Sequence, residues 1–173
     1  MLNIVLHQPE MPANTGNIGR TCVATGARLH LICPLGFRLD EKSLRRAGLD
    51  YWHQLDVTLY DNFEDFREKN PGAKIYMATT KARQVYTEVS YEPDCYLMFG
   101  KESAGIPEEI LVEYEETAVR IPMLGETRSL NLSNSVAIVL YEALRQQNFP
   151  GLRTAGELHR LQWSKSHAAK PIQ

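Results

Sequence analysis

Six short runs rich in β-branched and aromatic residues recur along this chain, and several are apolar on consecutive positions. They are LNIVLHQ (2–8), ARLHLIC (27–33), DVTLYD (56–61), KIYMATT (74–80), CYLMFG (95–100) and TAVRIPM (117–123). A strand with one wet face alternates polar and apolar residues, whereas a continuous apolar run needs cover on both faces. Helical patterns separate the runs. NTGNIGRTCVATG (14–26) has glycines near both ends. DEKSLRRAG (40–48) places acids first, bases later and Gly48 at its stop, as a helix dipole favours. DNFEDFREKNPG (61–72) sets Phe63 and Phe66 three apart and closes on Pro71-Gly72. A last helix is expected over roughly residues 132–147. Strands alternating with helices predict an α/β domain with a mostly parallel sheet covered by helices.

At 173 residues and 43% hydrophobic content, the chain suits one globular domain with a real core. The one plausible boundary is Phe149-Pro150-Gly151, which gives a domain over 1–150 and a basic C-terminal extension over 151–173. Net charge is −2, but the extension holds Arg153, Arg160, Lys165 and Lys170 against Glu157 alone, so it is +3 and the remainder −5. Such a tail reads either as an RNA-touching arm or, more commonly, as a solvated terminus. Within it, Thr154-x-x-Glu157 has the capping-box pattern of a short helix ending near Trp163.

Other classes find little support. LNIVLHQ opens the chain as a strand and not as a signal peptide, and no apolar run could span a bilayer. The cysteines, Cys22, Cys33 and Cys95, are odd in number and widely spaced, which fits reduced, mostly buried thiols in a cytoplasmic protein. The five histidines are scattered, so no metal site is expected. Glu102 follows Gly100-Lys101 where a P-loop needs Ser or Thr, and Gly16 and Gly19 lack the first glycine of GxGxxG. No GxSxG elbow is present for a Ser-His-Asp hydrolase.

The stretch SLNLSNSVAIVLYEA (129–143) asks two questions. Ser129, Asn131, Ser133 and Asn134 exceed what capping one helix needs, so they are candidates for a ligand site as well as for a cap. In an open α/β sheet, ligands bind beyond the carboxyl ends of the strands. Three loops follow predicted strands there: residues 81–83, 101–107 and 124–134. The helix that follows is apolar around Val136–Leu140, on more than one face. It needs either a second subunit in a two-fold dimer or full burial within one chain.

Together these segments resemble a known family. NTGNIGR (14–20), LMFGKESAGIP (97–107) and IPMLGETRSLNLSNSVAIVLYEA (121–143) resemble the three motifs of SPOUT-class RNA methyltransferases. With LNIVLHQPEMPANTGNIGR, LRRAGLDYW and ATTK, the chain is similar over about residues 1–150 to the small bacterial tRNA 2′-O-ribose methyltransferases that act on a wobble cytidine or uridine. It departs from their pattern at Lys101, where proline is usual, at Ala104, where a bulkier residue is usual, and at Gly19. Its tail is also longer than typical.

The resemblance implies a deep trefoil knot toward the C-terminal end, an obligate homodimer through the 14–25 and 132–147 helices, and S-adenosylmethionine held by the knotted loops. Ala78, Gly100, Ile121 and Ser129 would contact that cofactor, with Leu130 close by, and no metal is implied. Arg20 matches the motif arginine, which would grip phosphate and polarise the ribose oxygen; by itself it reads as a surface charge or an ion pair. For the tRNA anticodon stem-loop, Arg45, Arg46, Lys81, Arg83 and Arg128 are basic candidates, and Tyr51 and Trp52 could stack an unpaired base. Arg45 and Arg46 read equally well as helix C-terminal charges, and Trp52 as core. Three function classes follow: a ribose methyltransferase, a non-catalytic RNA-binding or ribosome-assembly protein of the same fold, and an unrelated nucleotide-binding enzyme. Asn14, Arg20, Gly100, Ser129 and Asn131 favour the first.

Overall fold

A computed structural model describes residues 1–38, 52–125 and 128–163. Seven strands form one sheet: β1 (Asn3–His7), β2 (Arg28–Ile32), β3 (Val57–Tyr60), β4 (Ile75–Ala78), β5 (Gln84–Val85), β6 (Tyr96–Phe99) and β7 (Ala118–Arg120). Their order is β3-β2-β1-β6-β4-β7-β5, and every pairing is parallel. The helices are α1 (Pro12–Thr25), α2 (Phe63–Lys69), α3 (Glu108–Leu111) and α4 (Leu132–Gln146), with 3₁₀ turns at Trp52–Gln54 and Val112–Thr117.

The consecutive apolar residues do what their pattern demands, filling a core on each side of the sheet. Ile4, Leu6, Leu29, Leu31, Leu97 and Phe99 face the side where α1 and α4 pack, and join Ile18, Val136, Val139 and Leu140 in one cluster. Val5, Ile32, Met77 and Met98 face the other side, with Phe63 and Phe66 of α2. A polar thread crosses that second core. His30 Nδ1 lies 2.8 Å from the Tyr60 hydroxyl and its Nε2 3.2 Å from Asn3 Oδ1. Asn70 donates to the Tyr60 hydroxyl and accepts from Tyr96.

Local signals set the helix ends. Pro12 opens α1, where its missing N–H costs nothing, and Gly26 closes it at φ 72°. Asn62 caps α2 by accepting from the Asp65 N–H at 2.8 Å, with Glu64 and Asp65 in the first turn and Arg67 and Lys69 in the last.

The expected helix over 154–163 does not form: this segment is exposed and without regular structure. Gly156 would sit in its first turn, and Leu158, Leu161 and Trp163 find no surface to bury against. The expected helix over 40–48, with Arg45, Arg46 and Tyr51, lies outside the described residues.

Candidate functional site

β6, β4 and β7 are neighbours in the sheet and, being parallel, release their chains on one side. The strand order also turns back here: β1 to β3 run outward one way, and β4 lies beyond β6 on the other. A reversal of this kind leaves a crevice at the carboxyl ends. The crevice is a cavity of about 630 Å³, within the roughly 300–1,000 Å³ usual for small-molecule sites. Its walls are the three loops that follow β4, β6 and β7, with Met11 and Asn14 of the α1 region completing the enclosure.

The loop after β6 is the tightest. The Gly105 N–H donates to the Lys101 carbonyl at 2.8 Å, and Gly105 takes φ 73°. Gly100 passes so close beneath this turn that a Cβ would collide with the Gly105 carbonyl carbon and the Ile106 nitrogen. Only glycine fits there, and its backbone stands open to the cavity.

The loop after β7 runs into α4 through Asn131. Its Oδ1 accepts from the Ser133 N–H at 2.9 Å and the Ser133 hydroxyl at 2.7 Å, so Asn131 is the helix cap. Its Nδ2 donates to Asn14 Oδ1 at 3.0 Å. Buried Asn14 in turn donates to Glu102 Oε1 at 2.9 Å. Glu102 also accepts from the backbone N–H groups of Glu10, at 2.8 Å, and Met11, at 3.2 Å. The first turn of α1 has no side-chain cap of its own from Met11, so a carboxylate 91 residues away supplies the negative end that its dipole favours.

Ala78, Gly100, Ile121, Ser129 and Leu130 line this one cavity, as do Lys81 and Arg128. Arg20 does not line it; it is exposed on α1, six residues beyond Asn14 and so about 9 Å farther along the helix. Lys81 pairs with Glu108 at 3.0 Å and Arg83 with Glu115 at 2.9 Å, both through exposed side chains. Trp52 is half-buried and packs against the first core. Glu10, Asn14 and Glu102 were not singled out as a linked group by sequence reasoning. Glu10 and Glu102 lie 92 residues apart, and no periodicity reports their meeting.

Burial holds several titratable groups of the core toward their uncharged forms. Burial pushes the Cys22 and Cys95 thiols up to about 12, which suits inert core residues. His7 is buried, and its pKa falls through desolvation first and the nearby Lys101 charge second. Among the described residues no cluster of three His, Cys, Asp or Glu side chains could hold a metal ion.

Comparison with known proteins agrees with this geometry. The tRNA (cytidine(34)-2'-O)-methyltransferase of Escherichia coli (strain K12) is 49% identical over 152 residues, spanning 87% of this chain and 97% of that protein. A solved structure described as giving structural insights into the 2-OH methylation of C/U34 on tRNA matches with a TM-score of 0.81 at 46% identity, over 86% of this chain and 97% of that one. The SpoU methyltransferase AviRb of Streptomyces viridochromogenes, in complex with AdoMet, matches with a TM-score of 0.72 at 25% identity, over 88% of this chain and 59% of that one. The model of the SpoU rRNA Methylase family matches residues 1–141, which contain all three cavity loops, and this chain therefore belongs to that family.

Proposed function

We propose that this protein transfers a methyl group from S-adenosylmethionine to the ribose 2′-hydroxyl of the wobble cytidine or uridine of tRNA. One observation carries the reading: three loops place Ala78, Gly100, Ile121, Ser129 and Leu130 around a single cavity, in a chain 49% identical to a named tRNA methyltransferase. The residues suit the cofactor. Gly100 keeps backbone open to the cavity, as an adenine edge requires, and Ile121 and Leu130 offer apolar cover for its ring.

The cofactor supplies a sulfonium-activated methyl carbon, so the protein's main task is alignment of the attacking oxygen. Arg20 serves that task from α1. Its guanidinium grips a phosphate oxygen of the substrate and polarises the 2′-hydroxyl as that group loses its proton. Arg128 and Lys81 at the cavity, with Arg45 and Arg46, hold phosphates of the anticodon stem-loop.

The remaining features follow the same reading. The loops at residues 78–83, 97–107 and 121–131 belong to a trefoil knot. Two copies associate through α1 and α4, where Tyr141 is 46% exposed in one chain. Residues 1–150 are the methyltransferase domain and 151–173 a basic extension. The enzyme acts in the cytoplasm and needs no metal; no helix among the described residues is long and apolar enough to cross a membrane.

Two measurements test the reading. Calorimetric titration with S-adenosylmethionine should give saturable heat, and tRNA from cells lacking the protein should lose a ribose methyl at the wobble position. Absence of both would leave the non-catalytic RNA-binding alternative.

A further inference from the structure

Glu10 and Glu102 form a crossed clasp between the segment after β1 and the loop after β6. Glu102 reaches one way, accepting from the Glu10 and Met11 N–H groups and from Asn14. Glu10 reaches back. Its Oε2 accepts from the Ser103 N–H at 2.9 Å, and its Oε1 accepts from the Ser103 hydroxyl at 2.9 Å. The arrangement has the reciprocity of a helix capping box, spread across two loops that sequence places far apart.

The two halves differ in what they hold. Glu102 organises the start of α1. Glu10 organises the loop that carries Gly100, Lys101 and Gly105, which is a wall of the cavity. Glu10 is itself braced from behind by the loop after β2. The Gly36 N–H donates to the Pro9 carbonyl at 2.9 Å, and Gly36 lies so near that a Cβ would come within 2.7 Å of Glu10 Cα. A carboxylate fixed in this way presents two acceptors in a set geometry to the tip of the cavity loop. Its pKa lies below the ordinary glutamate value, chiefly through the Ser103 hydroxyl and then the Ser103 N–H, so both oxygens accept at neutral pH.

We infer that Glu10 is a positioning residue that pre-organises the loop after β6 through Ser103, and so sets cofactor affinity without taking part in methyl transfer. This rests on the proposed methyltransferase reading. Loop order established before binding is loop order the ligand need not impose, and that difference appears in the dissociation constant.

The test compares wild type, Glu10→Gln, Glu10→Ala, Ser103→Ala and the Glu10→Ala/Ser103→Ala pair, all as the full chain. Cofactor affinity is read by calorimetry, thermal midpoint by circular dichroism, and kcat and both KM values by tRNA methylation. Glu10→Ala should weaken cofactor binding about tenfold, as loss of a charged, two-point contact implies. Glu10→Gln should act in the same direction but less, since its amide offers one acceptor where two are needed. The expected split is a raised cofactor KM with kcat and tRNA KM near wild type. The paired variant should fall short of the sum of its parts. Should Glu10→Ala fold poorly, Glu10→Gln, which keeps the side chain's shape, carries the comparison. Wild-type cofactor affinity in Glu10→Gln and Glu10→Ala, or full additivity with Ser103→Ala, would overturn the inference. A fall in kcat equal to the rise in KM would overturn it as well. Failure of the wild type itself to bind S-adenosylmethionine would overturn both this and the functional reading.

Discussion

Asn131 donates from Nδ2 to Asn14 Oδ1 at 3.0 Å, tying the cap of α4 to the buried first turn of α1 across 117 residues of sequence. One side chain thus serves two duties, because its Oδ1 meanwhile caps its own helix at Ser133. Asn131→Ala should lower stability by about 2–3 kcal/mol: a lost cap, plus an acceptor on buried Asn14 left without its donor. Asn131→Ser keeps a capping oxygen but cannot reach Asn14, so its smaller loss isolates the interhelical share. Urea titration of both variants decides; equal stability in Asn131→Ala and wild type would refute the coupling.

Arg20→Ala should damage turnover far more than cofactor affinity. The cavity is closed by loops that do not include Arg20, whereas the ribose oxygen and its phosphate arrive with the RNA. Loss of a donor used in the transition state should cost on the order of a hundredfold in kcat. Arg20→Lys should also be poor, since lysine keeps the charge but loses the two-pronged fork. Single-turnover methylation with RNA in excess, paired with cofactor titration, checks this. A collapse of cofactor affinity would place Arg20 in the pocket instead.

A charge placed at Val139 would not probe the proposed dimer cleanly. That residue is 1% exposed within a single chain and sits in the first core, so a charge there should unfold the protein rather than divide it. Tyr141, on the same helix and 46% exposed, is the better site. Tyr141→Glu should give a folded monomer by light scattering with a near-native circular dichroism spectrum. Retention of the dimer would remove α4 from the interface.

A chain ending at Gly151 should bind S-adenosylmethionine as the full chain does, because every cavity residue precedes it. Its tRNA affinity should fall modestly, and more at low salt, if the basic extension meets phosphate. Loss of cofactor binding on truncation would mean that the domain extends past residue 150.

Stability should depend on pH through His30. Burial holds its imidazole at about 4, with Arg28 adding to the fall and Asp56 opposing it. The folded state therefore prefers neutral His30, and its contribution is complete above the unfolded value of 6.5. As pH falls from there toward 4, the unfolded chain takes a proton that the folded chain refuses, and about 3 kcal/mol is lost. Urea midpoints at pH 7 and pH 4.5 should separate more for wild type than for His30→Gln. An equal drop in both would assign the acid sensitivity elsewhere.

The sheet was legible because its signal is local. VLH in β1 or LMF in β6 reads as buried strand wherever it lies, and all six expected strands formed. β5 was not: two residues, Gln84–Val85, pair only with β7 at the sheet's edge and carry no pattern of their own. The acidic run that forms α3 and the following 3₁₀ turn hid likewise, since Leu111 is the only residue of these two elements that is buried. The capping box at Thr154 shows the converse, a valid local signal with nothing to pack against. At the cavity, Gly100 and the Ser129–Asn131 cluster stood out by residue type. The clasp of Glu10, Ser103 and Glu102 did not, because ordinary surface residues acquire that role only when the fold brings two distant loops together.

β1 precedes its two sheet neighbours in the chain, yet it lies between them inside the sheet. Leu6 pairs with Leu31 on one side and with Phe99 on the other. Leu31 follows some two dozen residues after Leu6, whereas Phe99 follows only after roughly ninety. Until β6 inserts, the inner edge of β1 is an apolar strand with open hydrogen-bonding groups, the state in which chains stick to one another. Contacts this distant in sequence also close slowly. The same topology that builds a cavity from late-arriving loops therefore obliges the chain to keep its central seam open until β6 arrives.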